Sequence, residues 1–127
     1  MAKLEVIGTR VEVVLSQAER FGALRGDVSV ALDEVAQVRT TEHPFREVRG
    51  VRAPGTGVPG LIALGTWRRR DGGARRWVKD FAAVYRGKPG VIVETRPGTE
   101  FSRLIVSVDE PALVAERIRA VTRKTTR

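Results

Sequence analysis

The chain contains no cysteine, which excludes thiol nucleophiles, disulfide staples, iron–sulfur clusters and every cysteine-bearing zinc site. Its single histidine, His43, excludes sites that need two imidazoles. Aromatic residues make up only 6% of the sequence, and two of them are tryptophans, so each indole can be followed individually. No apolar run approaches the roughly 20 residues that a membrane span requires, and Met1–Glu5 reaches a charge before any apolar run begins. The expectation is a soluble chain in the cytoplasm, with attachment at a membrane surface as the alternative. What is present is ordinary for a folded protein: 42% hydrophobic and 30% charged residues in a chain of 127. That length suits one domain, 1–127, which buries roughly two thirds of its unfolded surface and needs no metal to hold it. Residues 1–2 and 122–127 are expected to fray, and no cofactor is expected.

Lysine and arginine exceed aspartate and glutamate by 23 to 15, giving a net charge of +8. The distribution says more than the sum. Residues 1–38 carry four basic and six acidic groups, whereas residues 67–96 carry nine and three, and residues 117–127 five and none. Nineteen of the basic residues are arginine, whose planar fork suits phosphate and carboxylate. Arginine used as a generic solvated cation is the simpler explanation.

Alternation of period two dominates the pattern and predicts strands with one buried face. Leu4 and Val6 alternate with Lys3 and Glu5, and Val11, Val13 and Leu15 follow a turn at Gly8-Thr9, which reads as a hairpin. Ser16 and Glu19 fit a capping box and predict a helical turn ending near Gly22. Strands are expected from Val28 and again over Val35 to Thr41. Between His43 and Gly60 the periodicity vanishes among three prolines and four glycines, so a long loop is expected there. Leu61 to Arg70 and Arg75 to Tyr85 read as a hairpin around Asp71-Gly72-Gly73, followed by strands over Val91 to Thr95 and Phe101 to Val108. Short turns between them predict antiparallel pairing. After Asp109 as N-cap and Pro111 in the first turn, Val114, Ile118 and Val121 make one apolar stripe of an amphipathic helix. The fold class is therefore mainly β (α+β), with seven or eight strands and one C-terminal helix.

Several stretches carry a family likeness: Glu19-Arg20 through Leu24-Arg25-Gly26-Asp27-Val28, Pro44-Phe45 through Arg49-Gly50, Arg52-Ala53-Pro54-Gly55-Thr56-Gly57, Phe81-Ala82-Ala83-Val84 and Leu104 through Pro111. Together with the element order they resemble a family of small uncharacterised bacterial proteins with a pleckstrin-homology-like (PH-like) barrel. The resemblance spans Lys3 to Val121 and implies a bent antiparallel barrel plugged by the last helix. It brings no shared catalytic residues, and PH-like barrels serve lipid, peptide and protein binding alike. Members that bind phosphoinositides place spaced basic residues around the first strand–strand loop. Here that loop is Ile7-Gly8-Thr9-Arg10, short and with one cation.

Gly55-Thr56-Gly57-Val58-Pro59-Gly60 matches G-x-G-x-x-G, yet a dinucleotide site needs a strand before it and a helix after it. Polar residues precede it and β-prone Leu61-Ile62-Ala63-Leu64 follows, so a turn-rich loop is expected. His43 lies in the same loop with Arg46, Arg49 and Arg52. None of Ser16, Ser29, Ser102 and Ser107 sits in a nucleophile elbow, and Glu42 and Glu47 are expected to pair with Arg46 and Arg49. An enzyme here would need a concave pocket of clustered ionisable groups in that loop. Arg68, Arg69, Arg70, Arg75 and Arg76 flank the hairpin turn with Trp67 and Trp77 outside them. Such a tip would gather five guanidinium groups, with the indoles facing each other across the strands, against the alternative of a solvated hairpin end. The expected function is a non-enzymatic binding or scaffold module holding an unknown protein or peptide, with anionic lipid headgroups as the alternative partner. Nucleic acid is disfavoured, because Lys79 to Arg86 lacks the glycine and aromatic pattern of an RNA-binding sheet.

Overall fold

The computed structural model describes the backbone of residues 1–23, 28–58, 61–71 and 76–125. Alternation sets the first pair: in β1 (Lys3–Ile7) and β2 (Arg10–Val14), Leu4 stands opposite Val13 and Val6 opposite Val11 in antiparallel register. β3 (Val28–Ala31) adds antiparallel to β2 through Val11↔Val30 and Val13↔Val28, completing a three-stranded sheet. Between β2 and β3, α1 (Gln17–Ala23) begins at the expected capping box. The Glu19 amide donates to Ser16 Oγ at 3.2 Å and the Ser16 amide to Glu19 Oε1 at 2.9 Å, so two otherwise free donors are satisfied reciprocally.

The second sheet contains β4 (Val35–Thr41), β5 (Val51–Val58), β6 (Ile62–Asp71), β7 (Arg76–Tyr85), β8 (Gly90–Thr95) and β9 (Arg103–Ser107), in the spatial order β4-β8-β9-β7-β6-β5. The main core lies between the two sheets and beneath α2 (Pro111–Thr125), with Val11, Val13, Phe81, Leu104, Val106 and Ile118 all at most 1% exposed. Phe81 and Phe101 meet edge to face at 6.2 Å, the geometry favoured by the ring quadrupoles. The expected stripe of α2 holds, with Ile118 buried and Val114 and Val121 packed against the core. A smaller cluster of Ala63, Trp67, Ala82, Val84, Ile92 and Ile105 occupies the opposite face of the six-stranded sheet, covered by Phe45 and Val48. Burial on both faces explains why β7, β8 and β9 read as continuous apolar runs.

The chain is mainly β with a C-terminal helix, as expected, but its strands are arranged differently. Nine strands form two sheets and no closed barrel among the described residues. One pair is parallel: β7 and β9 run together from Asp80↔Arg103 to Ala83↔Val106, while β8 and β9 are antiparallel. Two short turns reverse the chain as predicted, but the second returns β9 into the space between β8 and β7. Period-two patterning fixes which face a side chain takes and leaves the choice of neighbour open.

The loop expected over 43–60 contains a 3-10 turn at Pro44–Glu47 and the edge strand β5. β5 pairs with β6 through Gly55↔Gly65, Thr56↔Leu64 and Gly57↔Ala63, with a register shift between Arg52 and Gly55. Pro54 falls within that shift, where a missing ladder donor is tolerated. Gly55–Val58 of the G-x-G-x-x-G segment thus lie on a strand, Pro59 and Gly60 lie outside the described residues, and β6 follows. Gly50, at the entrance to β5, has φ of +95°, and a Cβ there would lie 2.1 Å from the Arg68 carbonyl oxygen. At the other edge, Arg119 Nε and Nη2 donate to the Val38 carbonyl at 3.2 and 2.7 Å, so α2 blunts β4. Asp109 does not cap α2: its carboxylate meets Lys88 Nζ at 3.3 Å, and the Glu110 carbonyl takes the first helical bond, from the Val114 amide. Ala2 is buried and α2 continues to Thr125; residues 126 and 127 of the expected frayed end lie outside the described residues.

Candidate partner-binding face

Residues directly opposed in an antiparallel pair share one face of the sheet. The β6–β7 register opposes Arg70 to Trp77 and Arg68 to Lys79, and on the other face Trp67 to Asp80 and Arg69 to Val78. The expected gathering of five guanidinium groups is therefore divided by the pleat. Trp67 is 9% exposed and packs in the smaller core, whereas Trp77 is 60% exposed, so the two indoles do not face each other. Arg75 lies outside the described residues, and Arg68, Arg70 and Arg76 are exposed.

Arg69 belongs to a chain of alternating charge across the second face of the sheet. Glu94 and Arg39 lie 3.2 Å apart, Arg39 and Glu47 2.7 Å, Glu47 and Arg103 3.6 Å, Arg103 and Asp80 2.6 Å, and Asp80 and Arg69 2.6 Å. Arg103 Nη2 also donates to the Glu47 carbonyl at 2.8 Å, fixing the 3-10 turn to β9. Three guanidinium groups balance three carboxylates, so this chain of ion pairs is internally neutral. Asp80 is 1% exposed; its Oδ2 accepts from both arginines, while Oδ1 has no hydrogen-bond partner among the described residues. Glu47 thus pairs with Arg39 and Arg103 in place of the expected neighbours Arg46 and Arg49.

The hydrogen bond from Arg39 holds the Glu47 carboxyl below its ordinary value of 4.5. Burial by itself would raise Glu19, but hydrogen bonds from the Ser16 amide and the Tyr85 hydroxyl outweigh it and lower this carboxyl as well. Burial and the Glu19 carboxylate push the Tyr85 hydroxyl up. A carboxyl that binds its proton less readily when folded stabilises the fold above its unfolded pKa, and that contribution is lost as pH falls through the lowered folded value. The urea midpoint is expected to be flat from pH 7 to about 5 and to fall below about 4.5. In Glu47→Gln the acid limb should be shallower; an acid limb as steep as the parent's would remove Glu47 from the account.

The exposed face of the hairpin continues into a groove. Beside β7, a cavity of about 280 Å³ is lined by Arg76, Trp77, Lys79, Arg96, Thr99 and Glu100, among others. The Arg70 guanidinium lies 5.9 Å from the Trp77 ring centre, and Lys79 Nζ 5.3 Å from that of Phe101. Arg96 Nε is held by the Asp33 carbonyl at 3.1 Å. A second cavity, of about 410 Å³, lies where the sequence placed the long loop, with His43, Arg46, Arg86 and Lys88 in its wall. Arg49 is exposed and Arg52 has only its backbone described, in β5. Each serine considered as a nucleophile has a hydrogen bond: Ser16 caps α1, Ser29 accepts from Arg10, Ser102 from Arg69 and Ser107 from the Tyr85 amide. The sequence reading missed the charge chain because its members lie far apart in sequence. The available signal was a single charge, Asp80 or Arg103, beside a strand buried on both faces.

Comparison with family models, with curated proteins and with solved structures finds no match. Among the described residues, no helix is long and apolar enough to cross a membrane.

Proposed function

We propose that this chain is a non-enzymatic binding module, akin to PH-like domains as its motifs suggest, that holds an acidic cytoplasmic partner protein on the β6–β7 hairpin. The observation that carries this reading is Trp77, 60% exposed beneath the Arg70 guanidinium. Next to it the groove presents Arg76, Lys79 and Arg96 against the single carboxylate of Glu100. Tryptophan and arginine are the residues most often found to dominate binding energy, and unpaired cations around them raise association rates with acidic surfaces. The ion-pair chain of Arg39, Glu47, Glu94, Arg103, Asp80 and Arg69 balances its own charges and adds no net charge to this site.

The test uses a fluorescein-labelled polyglutamate of about ten residues, read by anisotropy at low salt. The parent protein is expected to bind it, and an Arg70→Ala/Arg76→Ala variant to bind about tenfold or more weakly. Equal binding by the two proteins would overturn the assignment. Vesicles containing phosphatidylserine provide the other arm: sedimentation of the parent with vesicles, without binding of polyglutamate, would replace a protein partner with a membrane surface.

A further inference from the structure

We infer that the acidic partner enters as an extended segment that adds a short strand to β7 at Trp77, in line with β9; this rests on the binding role just proposed for the hairpin face. β7 is paired with β6 along its whole length, from Arg76 to Tyr85, but with β9 only from Asp80 onward. The Lys79 carbonyl still accepts from the Ser102 amide at 2.6 Å, so the backbone polar groups of Lys79 face the β9 side. Backbone groups alternate in direction along a strand, which turns the N–H and C=O of Trp77 to that same side. Beyond Ser102 the chain leaves the line of β9 for the turn at 96–100, and among the described residues no backbone hydrogen bond joins Trp77 to it. The groove of about 280 Å³ occupies this gap.

A donor and an acceptor left open beside a groove are the requirements for strand addition, in which main-chain bonds supply affinity and alternate side chains supply selectivity. The surrounding charge specifies the occupant. Arg76, Lys79 and Arg96 flank the gap and Arg70 covers the indole. A segment with carboxylates at alternate positions would set those groups beside Lys79 and Arg70, which share the face of Trp77, and its intervening apolar side chains beside Val78 on the other face. A basic segment would face repulsion from the same four groups.

The test adds a capped peptide of about eight residues alternating glutamate and valine to the full chain. Three measurements are made, with this peptide, its N-methylated form and polyglutamate. The first is hydrogen exchange at the Trp77 amide, expected to slow about tenfold or more at saturation. The second is binding of the same peptide N-methylated at alternate amides, expected to weaken about tenfold or more because its donors are gone. The third is polyglutamate binding, which depends on charge alone. N-methylated and parent peptides binding equally, with polyglutamate binding intact and Trp77 exchange unchanged, would overturn strand addition and leave the basic face standing. Loss of all binding in the parent protein would instead overturn the basic face itself.

Discussion

Replacing Asp80 by alanine is expected to destabilise the protein by about 3–5 kcal/mol, the cost of removing one partner from a buried ion pair. Arg103 is only 7% exposed and Asp80 1%, so the guanidinium left behind has little access to water. Asp80 Oδ2 is the shared acceptor for Arg69 and Arg103, and the variant leaves the first with Ser102 and the second with Glu47. A comparison shows why burial decides the magnitude. The pair of Lys88 and Asp109 has side chains 50% and 74% exposed, and Lys88→Ala is expected to cost no more than about 0.5 kcal/mol. Urea denaturation of both variants measures the difference. A loss under about 1 kcal/mol in Asp80→Ala would mean that water reaches the pair and that the network contributes little.

Gly50→Ala is expected to cost about 3 kcal/mol, combining a left-handed backbone with direct overlap. At φ +95° an L side chain is strained wherever it points, and here it would point at the Arg68 carbonyl oxygen 2.1 Å away. Neither atom can yield cheaply, because Val51, the next residue, pairs with Arg68 in the β5–β6 ladder. Relief requires β5 to move away from β6. Denaturation gives the loss in stability, and amide exchange in β6 at Arg68 and Arg70 should accelerate more than exchange in β1. Uniform acceleration across both sheets would place the strain elsewhere.

The local content of the fold was legible in the sequence to the extent that local physics decides it. Ser16 and Glu19 announced α1, Val114, Ile118 and Val121 announced the buried side of α2, and alternation marked β1, β2, β6 and β7. Where pairing partners decide the outcome, the pattern was silent. β5 has no alternating apolar residues because an edge strand rich in glycine is held by its ladder to β6. The position of β9 between β7 and β8 follows from long-range packing. For the candidate site, the arginine-rich hairpin and its tryptophans were visible. Their division between two faces depended on register, since Arg69 and Arg70 differ by one residue and therefore point oppositely.

The place of β9 has a consequence for how the molecule comes together. It is the strand that joins the β4–β8 pair to β7–β6–β5, and among the described residues it follows every other strand in sequence. During synthesis, every earlier strand of the larger sheet emerges before the piece that unites them. Until residues 103–107 leave the ribosome, β7 and β8 each expose a hydrogen-bonding edge flanked by apolar side chains. That interval is when the nascent chain is most open to pairing with a strand of another molecule, and a fragment ending before Phe101 would carry the hazard permanently.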